Sequence, residues 1–161
     1  MTPEEECRAF YAALGEAITE WTHVEDGLYM VLERCLRPAD HRAIAAAFYA
    51  LDAFRSKLAM VDAVVWHCLA DSPRLPDWQR LHKAIDKRTK KRNELAHHQV
   101  LFNPKLPEGR RYRLIPSLID PFSPRIGLEP IGLHLNDLQR RIGVFKILFR
   151  RITEFVAAVW P

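Results

Sequence analysis

Proline placement constrains this chain more than any other feature, because a proline inside a helix removes a hydrogen bond and clashes with the preceding turn. Pro3 suits a first helical turn, Pro38 stops a helix, and Pro73 and Pro76 fall in one short break, Ala70-Asp71-Ser72-Pro73-Arg74-Leu75-Pro76. Pro104, Pro107, Pro116, Pro121, Pro124 and Pro130 crowd residues 99–133 together with Gly109, Gly127 and Gly132, so no long helix crosses that stretch. Long helices are confined to the segments between.

Those segments carry apolar residues at three- and four-residue steps, the period of an amphipathic helix. Phe10, Leu14, Ile18, Trp21, Val24, Leu28, Val31 and Cys35 predict a first helix over about 3–37, in which Gly15 and Gly27 each cost roughly 1 kcal/mol relative to alanine. Asp40 is the expected N-cap of a second helix over 40–69, with a stripe of Ile44, Phe48, Leu51, Phe54 or Leu58, Val61, Val65 and Leu69. Trp78, Leu81, Ile85 and Leu95 mark a third over 77–98. Asn136 caps a fourth over 136–160, whose stripe is Leu138, Ile142, Phe145, Phe149, Ile152, Val156 and Val159.

Within 99–133, Val100 and Phe102 on one side and Tyr112 and Leu114 on the other suggest two short strands around Pro107-Glu108-Gly109, a candidate hairpin. The expected fold is all-α: an antiparallel four-helix bundle with a long irregular insertion between the third and fourth helices. With 161 residues, a single domain is expected. Trp21, Trp66, Trp78 and Trp160 all fit in helical cores.

The net charge of +4 hides an asymmetry: residues 1–71 hold 6 Lys/Arg against 12 Asp/Glu, leaving 18 against 8 for residues 72–161. Such a split points to a polyanionic partner, or to ion pairing between the halves. Cys7, Cys35 and Cys68 are odd in number and widely spaced, which argues for buried free thiols rather than a disulfide framework. The acidic start, Met1-Thr2-Pro3-Glu4-Glu5-Glu6, lacks the cations and apolar core of a secretory signal, and no apolar run reaches the ~18 residues of a membrane span. A cytoplasmic protein with no membrane partner is expected.

Chemistry concentrates in Lys91-Arg92-Asn93-Glu94-Leu95-Ala96-His97-His98, at the end of the third helix. Arg92 stands seven after Ile85 and three before Leu95, where the stripe asks for an apolar residue, and Glu25 stands four after Trp21 and three before Leu28. Two inward charges of opposite sign are expected to find each other, so Glu25 should orient Arg92. Asn93 and His97, four apart, share a helical face that the long Arg92 side chain can reach. A guanidinium offers a planar fork of donors to phosphate, and an imidazole titrates near neutrality. Lys83, Lys87, Arg88, Lys90 and Lys91 lead into the trio and suit sequence-independent attraction of RNA phosphates, with Arg110, Arg111 and Arg113 as an extension. His23, His41, His67, His82 and His134 are scattered, and no metal spacing is recognisable.

The run Arg92-Asn93-Glu94-Leu95-Ala96-His97 resembles the R-polar-x-x-x-H signature of HEPN domains, small helical bundles of prokaryotic toxins, defence systems and related RNA-cutting proteins. Trp21-Thr22-His23-Val24-Glu25-Asp26-Gly27-Leu28 is similar to the W-x-x-hydrophobic-E-x-x-L segment of some members. The resemblance implies an endoribonuclease that needs no metal or other cofactor, working as a homodimer with its two motifs meeting across the two-fold axis. In a toxin or defence setting, a small antitoxin protein would be a further partner. It makes His97 the proton-transferring residue, with His98 as a second candidate, Arg92 the stabiliser of phosphoryl charge and Asn93 the orienting polar group. Products would be a 2′,3′-cyclic phosphate and a 5′-hydroxyl. The competing expectation is a non-catalytic HEPN-like module that dimerises or binds RNA or nucleotide.

Overall fold

The computed structural model describes residues 1–37, 39–116 and 132–161. The expected helix stop at Pro38, and Pro121, Pro124, Gly127 and Pro130 of the insertion, lie outside the described residues. Among the described residues, five helices and one two-stranded sheet follow in order: α1 (Pro3–Cys35), α2 (His41–Tyr49), α3 (Phe54–Cys68), α4 (Leu75–His97), β1 (Gln99–Phe102), β2 (Tyr112–Ile115) and α5 (Leu135–Val159). The fold is mostly helical, and no helix among the described residues is long and apolar enough to cross a membrane. The chain groups into two compact units, residues 1–20 with 91–145, and residues 21–90 with 146–161. Helices α1, α4 and α5 each contribute residues to both.

In the first unit, α1 begins as a capping box: the Thr2 hydroxyl accepts Glu5 N–H at 3.2 Å, and the Glu5 carboxylate accepts Thr2 N–H at 2.7 Å. Its core gathers Phe10, Ala13, Ala17, Leu95, Leu114, Ile115, Leu138, Ile142 and Phe145. The hairpin forms where the strand signals place it, antiparallel, with Val100 opposite Leu114 and Phe102 opposite Tyr112. The two rings of the latter pair lie 4.8 Å apart. Gly109 supplies the positive φ of 79° that the connection needs.

A buried carboxylate ties this hairpin to α1. Glu6 is 1% exposed and accepts the Arg111 N–H at 2.8 Å and its guanidinium at 3.3 Å. Arg111 is therefore spent on Glu6, and Arg113 is buried, so of the three arginines expected to extend a groove only Arg110 lies exposed. Removing one partner of such a pair strands the other. Glu6→Ala should cost about 3 kcal/mol and lower the melting temperature by roughly 6–12 °C, as read by circular dichroism. An unchanged melting temperature would show that the pair contributes nothing.

In the second unit the core includes Trp21, Val24, Leu28, Val31, Leu32, Phe48, Phe54, Leu58, Val61, Val65, Trp78, Leu81, Ile85, Leu148 and Ile152. Asp40 caps α2 as expected, its carboxylate accepting Arg42 N–H at 2.9 Å. The single second helix expected over 40–69 is instead two, α2 and α3, separated by Ala50-Leu51-Asp52-Ala53. No proline or glycine marks that break, and Phe48, Leu51 and Phe54 keep the helical spacing straight through it. The break places Lys57 of α3 against Phe48 and Tyr49 of α2, its ammonium 5.1 and 5.2 Å from their ring centres.

Packing corrects several further expectations. Ile18 is 46% exposed and Ala17 fully buried, because steps of three and four can run through 13, 17 and 21 as well as through 14, 18 and 21. Trp66 is 47% exposed rather than in the core, whereas Trp78 is fully buried and donates its indole N–H to Asp62 at 2.8 Å. The cap of α5 is not Asn136, which lies inside the helix; Asp137 reaches back to accept His134 N–H at 3.0 Å. At Gly27 an added Cβ would stand 3.0 Å from Ile152, so the glycine permits a close helix approach. None of the cysteines is buried: Cys7 and Cys35 are half-buried and Cys68 is exposed.

Candidate functional site

The last two turns of α4 carry the motif, and two flanks of that helix have different fates. Lys91, Glu94 and His98 recur at steps of three and four and share one flank, while Asn93 and His97 share another. Although α4 ends at His97, the His98 N–H still bonds the Glu94 carbonyl at 3.2 Å, so His98 keeps the helical register.

On the first flank the chain is clamped from α5. Arg141, 8% exposed, donates to the Glu94 carboxylate and to the main-chain carbonyl of Lys91. Charge-assisted bonds in a dry setting fix geometry more firmly than neutral ones. The clamp holds the turn that carries Arg92 and Asn93. Beside it lies a groove of about 170 Å³ lined by Lys91, Asp137, Arg140 and Arg141 over Leu133 and Val144. Arg140 stands 3.6 Å from Asp137 and is otherwise open to solvent. The groove carries a net positive charge suited to an anion.

On the second flank Asn93 and His97 are exposed. Arg92 is half-buried, and its guanidinium turns to this side, donating to the Asn93 amide oxygen at 3.3 Å. An arginine, an amide and an imidazole are thus gathered within the last two turns of one helix, with His97 free to meet a large ligand.

The two histidines differ in kind. His98 is half-buried, and its Nδ1 is buried without a hydrogen-bond partner among the described residues. Burial holds its pKa below the ordinary histidine value; Glu94 opposes this, and Arg141 and His97 reinforce it. The unfolded chain therefore takes up the His98 proton first as pH falls. Stability contributed by neutral His98 is present above the ordinary pKa of ~6.5 and lost as pH drops through the lower folded value. His98→Gln should flatten the stability profile below pH ~6.5 in denaturant titrations, and an unaltered acid limb would refute the assignment.

Glu25 has Lys57 as its ion partner within the second unit. Lys57 is 7% exposed on α3, three residues after Phe54 and four before Val61, an inward position that supplies the cation from within the same unit. Arg92 in turn has Asn93. Of the other cations expected to attract RNA, Lys83, Lys87, Lys90 and Lys91 are exposed, whereas Arg88 is half-buried and donates to the Ala84 carbonyl at 3.4 Å.

No family model, curated protein or solved structure matches this chain. Its functional reading rests on its own residues and their arrangement. Among the described residues no three His, Cys, Asp or Glu side chains gather in a way that could hold a metal ion. Arg141 and Glu94 are the support residues that motif reasoning missed. Arg141 lies three after Leu138 and four before Phe145, so the logic that singled out Arg92 and Glu25 applies to it as well.

Proposed function

We propose that the chain is a HEPN-type endoribonuclease, a toxin or defence effector that cuts RNA without metal. In this reading its helices form an antiparallel four-helix bundle, and two copies pair so that their motifs meet at the two-fold axis. The enzyme acts in the cytoplasm, with a small antitoxin protein as its natural restraint.

The observation that carries the reading is the gathering of Arg92, Asn93 and exposed His97 at the end of α4. His97 assists transfer of the 2′-hydroxyl proton as that oxygen attacks the adjacent phosphorus, or protonates the departing 5′-oxygen. Arg92 stabilises charge growing on the phosphoryl oxygens, with Asn93 holding its guanidinium in place. The bond formed is the 2′-oxygen to phosphorus and the bond broken is phosphorus to the 5′-oxygen. A 2′,3′-cyclic phosphate and a 5′-hydroxyl result. Exposed Lys83, Lys87, Lys90 and Lys91, with Arg88, draw the RNA backbone irrespective of sequence.

A second reading is favoured by how many motif groups are already engaged: Glu94 by Arg141 and Asn93 by Arg92. A module that only dimerises or binds RNA would use such contacts for structure. The readings separate when purified protein is incubated with RNA in excess chelator and the ends are mapped. Cyclic phosphate and 5′-hydroxyl termini support the enzyme; intact RNA retarded in a gel supports the binding module.

A further inference from the structure

The C-terminal ends of α1 and α3 bring together two thiols. Cys35 is the last residue of α1 and Cys68 the last of α3. The Cys68 S–H donates to the Cys35 carbonyl at 3.3 Å, satisfying an acceptor that a helix end leaves unpaired. Cys68 is exposed and Cys35 half-buried. Both line a groove of about 700 Å³ together with Arg34, Arg37, His67 and Trp160.

This setting differs from that of Cys7. Cys7 belongs to the other compact unit and shares a hydrogen bond with Tyr112. A thiol that meets an acidic co-reactant needs access and cations that attract the co-reactant. Cys68 has both: it is open to solvent, and Arg34 and Arg37 line the same groove, Arg37 standing 3.9 Å from Glu33.

We propose that Cys35 and Cys68 form an oxidisable pair that reacts with anionic small-molecule disulfides and closes into an intramolecular disulfide joining the ends of α1 and α3. In the first step the Cys68 thiolate attacks one sulfur of the incoming disulfide, forming a mixed disulfide and releasing one small thiolate. In the second the Cys35 thiolate attacks the Cys68 sulfur, the protein disulfide forms and the second small thiolate leaves. The two protein thiols lose two protons and two electrons, and the incoming disulfide is reduced to two thiols. Burial is the first cause that holds the Cys35 thiol up at about 12, and the charge and hydrogen bond of Cys68 are the others. Access sets the order of reaction: exposed Cys68 first, half-buried Cys35 second.

The test uses the full chain and oxidised glutathione, with cystamine as a cationic disulfide of similar reactivity. The expected wild-type product is lighter by two hydrogen atoms, keeps one free thiol and yields a Cys35–Cys68 linked peptide in a non-reducing digest. Glutathione disulfide should react several-fold faster than cystamine, and added salt or Arg34→Gln with Arg37→Gln should narrow the gap. Cys35→Ala should stop at a glutathione adduct on Cys68, and Cys68→Ala should leave Cys35 unmodified. Closing this loop should raise the melting temperature by several degrees. Three retained thiols, a stable adduct on the wild-type chain, linkage through Cys7, or equal rates with the two reagents would each overturn the proposal. The chemistry is read on the thiols themselves, so its outcome is independent of whether the chain cuts RNA.

Discussion

Arg92→Ala should reduce RNA cleavage by about 100–1,000-fold, the scale on which a preorganised charge stabilises a developing oxyanion. His97→Ala should reduce it by about 100–10,000-fold, the range of a positioned proton carrier. His97 is exposed and Arg92, among the described residues, bonds its neighbour Asn93, so both variants should melt within a few degrees of wild type. His98→Ala supplies the contrast: its imidazole lies on the clamped flank with Glu94 and Arg141, so cleavage should fall less than about tenfold. Rates measured on a labelled RNA in chelator, beside melting curves, decide the matter. Folded Arg92 and His97 variants that cut as fast as wild type would remove the enzyme from consideration, and a larger loss in His98→Ala than in His97→Ala would exchange their roles.

The second large effect concerns stability. Lys57→Met leaves the Glu25 carboxylate at 19% exposure with no cation, and a stranded charge of that kind costs about 3–5 kcal/mol. For a chain of this size the melting temperature should fall by roughly 6–20 °C. Lys57→Met combined with Glu25→Gln should recover much of the loss, because the double variant buries no unpaired charge. Thermal melts of the three variants give the coupling directly. A Lys57→Met protein as stable as wild type would mean that the pair is solvated and that the inward acid of α1 needs no partner.

Much of the helical framework was legible because burial imposes a period. The ends of α1, α4 and α5 lie within a few residues of where prolines, caps and apolar stripes put them. The hairpin was legible too, since Val100, Phe102, Tyr112 and Leu114 alternate around a glycine that takes a positive φ. The interruption between α2 and α3 left no such trace: four residues without proline or glycine depart from the helix only because tertiary packing favours it.

The site divides along the same line. Arg92, Asn93 and His97 were visible because they are neighbours in sequence, and local spacing on a helix is geometry. The partners of inward charges were not, since periodicity says that Glu25 faces inward but not which of several cations meets it. Lys57 and Arg141 sit at stripe positions as surely as Arg92 does. Spacing singled out Arg92 for Glu25, yet the same rule turns Lys57 and Arg141 inward and does not say which acid each one meets.

The Arg141 clamp carries a consequence for how sequences of this kind should diverge. One of its bonds goes to the Lys91 main-chain carbonyl, which every amino acid provides, and the other to a side chain that only Glu94 supplies. Position 91 is therefore free to drift as far as the clamp is concerned, while positions 94 and 141 should change together or not at all. In an alignment of relatives, retention of lysine at 91 beyond that freedom would measure the demand placed on its side chain by a ligand.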